Sequence, residues 1–176
     1  AIAMLYFFLQ GTPFIYQGQE IGMTNMPFTS IEQIDAVDSK RLYKQLLKEG
    51  KNKEEALDIV ADTTRDNSRT PMQWSSNQFA GFSSKQPWLV VNPNYQSINV
   101  AQQEKQPDSI LTFYKKMIHL RRTNEGLIYG SFKEYLTEHT QVYIYERALD
   151  NNRYLVMVNL TKEKASYSLP DEVEAN

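Results

Sequence analysis

The sequence contains no cysteine and only two histidines, and it has no excess of basic residues. Without cysteine, the chain forms neither a disulfide nor a thiolate metal site, which fits a cytoplasmic protein in a reducing environment. His119 and His139 lie on different predicted elements and lack ligand spacing, so no metal site is expected. A net charge of −2 provides no basic field for nucleic acid.

Long hydrophobic runs and phosphate-binding glycine patterns are also missing. The longest apolar run, residues 1–9, is too short to cross a bilayer, and no basic segment precedes it, so neither a membrane anchor nor a signal peptide is predicted. That run is typical of the end of a helix buried on several sides. The seven glycines form no nucleotide-binding motif, and no cofactor is expected.

The most informative segment present is residues 65–74, which read Arg-Asp-Asn-Ser-Arg-Thr-Pro-Met-Gln-Trp. It follows neither a helical nor a strand period, and Pro71 would interrupt a helix. A polar loop that contains a tryptophan is typical of a ligand-binding wall. The alternative is an arginine–aspartate network that only locks the loop, and the segment alone leaves both interpretations open.

Two helices are predicted before this loop. Residues 39–49 carry an apolar stripe, with Asp38 or the following serine as N-cap and Gly50 as the stop. The second helix begins at Asn52, which forms a capping box with Glu55. Together they predict a helical hairpin.

Residues 14–16 form a short apolar run typical of a parallel strand covered on both faces. Polar residues follow directly, and in a (β/α)8 barrel they would lie on the active face. Glu20 is the acid at this position. Its expected role is a structural hydrogen bond in the turn rather than catalysis.

The second half of the chain changes from helical to alternating periodicity. A helix is predicted from residue 108 to residue 122. Residues 141–147 and 153–160 alternate around turn-forming residues 149–152 and predict a β hairpin. Residues 127–136 and 165–169 are predicted to add further strands.

These segments, with the run Gly-Thr-Pro-Phe-Ile-Tyr-Gln-Gly-Gln-Glu-Ile-Gly-Met at residues 11–23, resemble the late part of the catalytic barrel in glycoside hydrolase family 13. The resemblance is greatest to its oligo-1,6-glucosidase and dextran-glucosidase branch. Residues 77–82, 87–95, 98–100 and 108–122 resemble the same branch. The resemblance extends over essentially the whole chain.

The resemblance implies an α+β fold, with the last strand and helices of a (β/α)8 barrel followed by a partial antiparallel β domain. Residues 1–124 would belong to the barrel, including a helical-hairpin insertion and a substrate-facing loop. Residues 125–176 would begin the β domain. The family's nucleophile, general acid and third aspartate would all precede residue 1, as would its calcium loop, so this chain is expected to be an inactive fragment without catalytic residues.

The resemblance also implies three substrate-binding residues. Arg65 would reach the non-reducing glucose, with an ion pair to Asp66 as the structural alternative. Asp38 lies where relatives carry a glutamate that faces the next sugar, and helix capping is its alternative role. Arg69 is expected to hold the loop through Asp66, with substrate contact as the second possibility. For Gln73 and Trp74, a buried tryptophan that braces the loop is favoured over a position at the pocket mouth.

The implied function is hydrolysis of α-1,6-glucosidic bonds in short α-glucans by a retaining two-carboxylate mechanism. A trehalose-6-phosphate hydrolase shares the same motifs and is the alternative within the class. A stand-alone carbohydrate-binding or interaction module is the alternative outside it. Because residues 1–9 and 14–16 would lack their barrel neighbours, self-association of the chain is also expected.

Overall fold

The computed structural model describes residues 2–168, which cluster into two compact units. The central unit comprises residues 16–113, and the discontinuous unit comprises residues 2–15 and 114–168. The boundary between the two units, at residues 113 and 114, falls inside the helix Ile110–Thr123. The domain boundary predicted at residue 124 is a different division and stays a prediction.

Within residues 2–168, helices connected by ordered turns precede one three-stranded sheet. The helices are α1 (Ile2–Phe7), α2 (Val37–Lys48), α3 (Lys53–Thr63), α4 (Val100–Gln103), α5 (Ile110–Thr123) and α6 (Gly126–Tyr129), and the strands are β1 (Ser131–Tyr135), β2 (Val142–Leu149) and β3 (Asn152–Asn159). Single 3-10 turns occupy Gln19–Ile21, Ile31–Gln33, Arg65–Arg69, Gln78–Gly81 and Pro93–Gln96. The predicted α+β class is confirmed, and residues 65–106 are ordered by the last three of these turns and by α4.

The predicted hairpin of α2 and α3 is confirmed, together with its turn chemistry. Gly50 adopts φ +91° after α2, and Lys51 N–H donates to Leu46 O at 3.1 Å, which satisfies a terminal carbonyl. The Asn52 side chain accepts from the backbone of Glu55 at 2.9 Å, while the Glu55 carboxylate accepts from Asn52 N–H at 3.3 Å. Both donors of the capping box are therefore satisfied locally.

The predicted N-cap of α2 is wrong. The helix begins at Val37, its N-cap is Ala36, and Asp38 lies inside the first turn. Alanine provides no capping oxygen, and the buried carboxylate of Asp66 instead accepts from Ala36 N–H at 2.9 Å. A group 30 residues away in sequence therefore replaces the local cap, and Asp38 is left outside that role.

The core of the central unit lies between the helical hairpin and the segment that precedes it. Its buried members are Met26, Phe28, Ile34, Ala36, Leu46, Ala56 and Val60. Because these residues come from both helices and from residues 26–36, burial of the apolar stripe packs the helical hairpin against the segment that leads into α2.

The sheet of the discontinuous unit is antiparallel in the order β1-β2-β3. Ile144 lies opposite Tyr135 on one side and Met157 on the other. The predicted hairpin is confirmed, with Asp150 at φ +52° in its two-residue turn. Of the other two predicted strands, the first is shortened because α6 occupies Gly126–Tyr129. Residues 165–168 form no strand, and residue 169 lies outside the described residues.

Two buried arginines hold the end of α1 within the discontinuous unit. Arg147 donates to the carbonyls of Phe8 at 2.8 Å, Leu127 at 3.0 Å and Gly130 at 2.8 Å. Arg121 donates to the carbonyls of residues 7, 9 and 11 at 2.9, 3.1 and 2.6 Å. The carbonyl of Phe7, the last residue of α1, and those of residues 8, 9 and 11 thus receive guanidinium donors instead of solvent.

The strand predicted at residues 14–16 is not formed. All strands among the described residues lie between 131 and 159, so the 14–16 backbone has no ladder partner there. Phe14 is 82% exposed, which is opposite to the double-sided burial expected from its apolar run. Helix α1 is likewise shorter than the predicted 1–9 and ends at Phe7.

The stability of the discontinuous unit is expected to fall between pH 10 and about 12. Burial of its phenol, helped by a hydrogen bond to Glu134, raises the pKa of Tyr143 from 10.0 to about 12. The unfolded chain therefore releases this proton first as pH rises. The contribution of the Tyr143 phenol to the free energy of unfolding is complete below pH 10 and is lost towards pH 12. Urea unfolding of Tyr143→Phe should show a weaker decline in this window, and parallel pH profiles would contradict the assignment.

Candidate substrate-binding site

The candidate site is built on the Arg65–Arg69 turn that follows α3. The Thr64 hydroxyl caps this turn by accepting from Asp66 N–H at 3.3 Å, and Ser39 Oγ donates to the same hydroxyl at 2.8 Å. Ser39 lies in the first turn of α2. The turn and the start of α2 are therefore connected by a buried polar chain.

Asp66 connects the Arg65–Arg69 turn to the residues that precede α2. Its side chain is fully buried, and Oδ2 accepts from the backbone N–H groups of Asp35 at 2.6 Å and Ala36 at 2.9 Å. Its other oxygen lies 3.4 Å from Arg69 Nη1. A buried carboxylate is tolerated when it is paired and hydrogen-bonded, as Asp66 is.

Arg65 and Asp38 form an exposed ion pair beside the buried one. Arg65 Nε lies 3.4 Å from Asp38 Oδ1, and the two side chains are 53% and 65% exposed. The predicted alternative, an ion pair of Arg65 with Asp66, is wrong because Asp66 faces Arg69. An exposed pair contributes less than about 1 kcal/mol to stability, so the fold does not depend on it.

The predicted role of Arg69 as a partner of Asp66 is confirmed by the 3.4 Å contact. Its side chain is nonetheless 39% exposed and also borders a cleft. The structure thus combines the loop-holding interaction with a position open to a ligand.

That cleft, called here the aromatic cleft, has a volume of about 400 Å³. Exposed rings of Tyr16, Phe82 and Trp88 border it, with Ser68 and Arg69 from the Arg65–Arg69 turn. The Tyr16 hydroxyl donates to Ser68 O at 2.9 Å. Phe82 and Trp88 lie in the segments 77–82 and 87–95, to whose rings the sequence assigned no role. Each ring directly follows a turn-forming residue, Gly81 or Pro87, and this was the available signal of exposure.

Gln73 and Trp74 take roles opposite to those predicted. Trp74 is 50% exposed, so the buried tryptophan brace is wrong, and its backbone N–H donates to Ala80 O at 2.9 Å. Gln73 is fully buried, and its amide donates to Asn94 Oδ1 at 2.9 Å and Ile98 O at 2.6 Å. The amide, not the indole, therefore braces the loop.

Glu20 has the structural role expected of it. Its carboxylate accepts from Gly18 N–H at 2.7 Å and closes the turn after residue 17. His139 is similar, since its Nδ1 accepts from the backbone of Gln141 and Val142 at 3.1 Å each. Across residues 2–168, no three metal-ligating side chains are grouped to hold an ion.

A search of the described residues for membrane-spanning helices finds none with the required length and apolar character.

Comparison with known proteins establishes the family. The model for the alpha-amylase catalytic domain matches residues 1–130. The chain belongs to the alpha-amylase family. The fold class predicted from the late barrel segments is thereby confirmed, and the structures that this family member resembles are those of barrel enzymes.

Two curated relatives of this alpha-amylase family chain are named for α-1,6-glucosidase activity. It is 39% identical to the oligo-1,6-glucosidase of Bacillus cereus over 98% of this chain and 31% of that protein. It is 41% identical to the glucan 1,6-alpha-glucosidase of Streptococcus pneumoniae over 99% of this chain and 32% of that protein. The chain thus spans about a third of the length of these relatives.

Among solved structures, the trehalose-6-phosphate hydrolase of Bacillus licheniformis superposes on the alpha-amylase family chain with a TM-score of 0.92. The two are 37% identical, and the match covers 98% of this chain and 31% of the other. Fold similarity alone therefore does not separate the two activities that the sequence left open.

Proposed function

We propose that the chain is part of an α-glucosidase that hydrolyses α-1,6-glucosidic bonds of isomalto-oligosaccharides. The observation that carries this proposal is the exposed Arg65–Asp38 pair, held at 3.4 Å beside a buried anchor. The names of the bacterial relatives at 39 and 41% identity support the choice of linkage. A cytoplasmic location fits the absence of cysteine and stays a prediction.

The proposed role of Arg65 is to bind the hydroxyl groups of the terminal glucose. A guanidinium presents planar donors in a fixed fork, and Asp38 provides a carboxylate that accepts from hydroxyls. Both side chains are more than half exposed, so a sugar can reach them without breaking the buried Asp66 interactions. Arg69 would contact substrate only from the side of the aromatic cleft.

A retaining mechanism needs two carboxyl groups about 5–5.5 Å apart on either side of the scissile bond. The acids described here form no such pair, since Asp66 is buried against Arg69, Glu20 closes its own turn and Asp38 is paired with Arg65. We therefore assign the nucleophile and the general acid to parts of the enzyme outside this chain. The chain alone is predicted to be inactive.

A chimera tests the proposal. The chain would replace the matching third of the Bacillus cereus oligo-1,6-glucosidase, and isomaltose and p-nitrophenyl α-glucoside hydrolysis would be compared between the chimera and the chain alone. Turnover is expected only in the chimera. Turnover by the purified chain would show that the assignment of the carboxylates is wrong.

Within the chimera, Arg65→Ala is expected to lower kcat/KM by about 10- to 100-fold, because charge-assisted hydrogen bonds contribute about 1.5–3 kcal/mol. The matched control is Lys40→Ala, which removes the neighbouring exposed pair of Lys40 with Asp35 at 3.9 Å. The kcat/KM of this control should stay within about twofold of that of the unchanged chimera, since exposed ion pairs contribute little. Equal losses in both variants would exclude a specific role for Arg65.

Trehalose-6-phosphate hydrolysis is the second candidate, because a solved enzyme of that name is 37% identical to the chain over 98% of its length. This candidate predicts that a chimera whose upstream part comes from the trehalose-6-phosphate hydrolase prefers the phosphorylated disaccharide. A stand-alone sugar-binding module and self-association of the chain also stay predictions, and size-exclusion chromatography of the purified chain tests the latter.

A further inference from the structure

Two neighbouring contacts join the start of α2 to the turn that follows α3. Asp38 and Ser39 are adjacent in sequence, and so are Thr64 and Arg65. One contact is the ion pair of Asp38 with Arg65 at 3.4 Å, and the other is the hydrogen bond that Ser39 Oγ donates to Thr64 Oγ1 at 2.8 Å. An ionic contact and a buried neutral contact therefore lie one residue apart on each segment.

The hydroxyl contact is the tighter of the two. Ser39 and Thr64 are both buried, so each hydroxyl depends on a protein partner rather than on bulk water. The ion pair is formed through Arg65 Nε at 3.4 Å, which exceeds the about 2.7–2.9 Å of a charge-assisted hydrogen bond. The ion pair is thus too loose to fix its own separation.

Thr64 connects two elements and can transmit this constraint. Its backbone N–H donates to Val60 O at 2.9 Å and completes α3, while its hydroxyl caps the next turn by accepting from Asp66 N–H at 3.3 Å. A β-branched side chain is restricted at χ1. The Thr64 hydroxyl is therefore fixed relative to the backbone that carries Arg65.

A second buried contact lies on the other side of the ion pair. Asp66 Oδ2 accepts from the two backbone N–H groups of residues 35–36 at 2.6 and 2.9 Å. Thr64 and Asp66 thus flank Arg65 in sequence, and the groups that they bind flank Asp38. Buried contacts of their sequence neighbours therefore hold both members of the ion pair.

We propose that Ser39 and Thr64 are positioning residues whose hydroxyl contact sets the separation of the Asp38 carboxylate from the Arg65 guanidinium. The effect on substrate rests on the proposed function, whereas the positioning rests on the buried contacts. A ligand that bonds to both charged groups at once needs them at one fixed spacing. Loss of either hydroxyl should separate the pair and weaken ligand binding, although neither hydroxyl touches the ligand.

Nuclear magnetic resonance of the whole chain tests the positioning. Asp38→Asn should shift the Nε–H resonance of Arg65, because it removes the facing charge. This shift should be largely lost when Asp38→Asn is made together with Thr64→Val or with Ser39→Ala. Thr64→Val keeps the branched shape, and Ser39→Ala keeps the cap on the following turn, so the test does not depend on one variant.

Two further variants control for the loss of any hydroxyl. Thr64→Ser keeps the acceptor and should keep the Arg65 shift. Thr63→Val is the matched control, because it removes a hydroxyl one position earlier, where Thr63 Oγ1 donates to Ile59 O at 3.0 Å on the exposed side of α3. It should also keep the shift, because this hydroxyl bonds only within its own helix.

Kinetics of the chimera measure the effect on substrate. Thr64→Val should raise KM for isomaltose by about fivefold or more, since displaced binding groups are costly. A variant that only lost folded enzyme would instead show a lower kcat at an unchanged KM. In the Arg65→Ala background, Thr64→Val should change kcat/KM by less than about twofold, because the pair that it positions is already broken.

Each outcome decides the proposal. An Arg65 shift that survives both Thr64→Val and Ser39→Ala would overturn it, as would the absence of any shift on Asp38→Asn alone. Additive losses of kcat/KM from Thr64→Val and Arg65→Ala would overturn the effect on substrate. An inactive chimera would refute the proposed function, but the resonance of Arg65 would still decide whether the hydroxyls position the pair.

Discussion

Replacing Arg147 with methionine is expected to lower the free energy of unfolding by about 3–5 kcal/mol, because several buried carbonyl acceptors would lose their donor at once. The arginine is fully buried and donates to five carbonyls, those of Phe8, Leu127, Ile128, Gly130 and Ser131. Methionine fills similar space but donates to none of them. Each buried acceptor left without a donor costs about 1–3 kcal/mol, and these costs are not additive.

Urea unfolding followed by far-UV circular dichroism measures this loss in the discontinuous unit. Arg122→Met is the control, because Arg122 is exposed on α5 and its replacement should change stability by no more than about 0.5 kcal/mol. Arg147→Lys should recover little of the lost free energy of unfolding, since one ammonium cannot reach carbonyls arranged around a planar guanidinium. A loss below about 1 kcal/mol for Arg147→Met would mean that water replaces the guanidinium.

Asp66→Ala is expected to lower the free energy of unfolding by about 2–4 kcal/mol, because it would leave two backbone donors unsatisfied. Those donors, Asp35 N–H and Ala36 N–H, belong to the segment that leads into α2. Arg69 would lose its partner but is 39% exposed and can be hydrated. The start of α2, and Asp38 with it, should therefore move away from Arg65.

Urea unfolding followed by far-UV circular dichroism reports this loss, because α2 and α3 lie in the central unit. Asp62→Asn is the control, since Asp62 is exposed on α3 and the change should be nearly neutral. In the chimera, Asp66→Ala should lower kcat/KM for isomaltose as Arg65→Ala does, while Asp62→Asn should not. Full stability together with normal activity would disprove the anchoring role of Asp66.

The parts of the fold that the sequence predicted depend on local interactions. The capping box of Asn52, the stop at Gly50 and the turn at Asp150 are each determined by residues within a few positions. Backbone conformation and capping chemistry act over this distance, so a short stretch of sequence contains the needed information.

The N-cap and strand failures involve partners distant in sequence. The N-cap of α2 was misassigned because Asp66 replaces it, and the strand at residues 14–16 was misassigned because a strand forms only beside another. For the site, the motif indicated Arg65 and Asp38 but not their contact. The exposure of Trp74 could not be predicted because Gln73, beside it, occupies the buried position.

The division of the discontinuous unit has a consequence for biosynthesis. Residues 2–15 leave the ribosome before the whole central unit, yet Arg121 and Arg147 follow Phe7 and Phe8 by 114 and 139 positions. Among the described residues, the two arginines that hold the end of α1 are therefore synthesised long after α1 itself. Closure of so long a loop is also entropically costly. Assembly of this unit should therefore be a late step of folding.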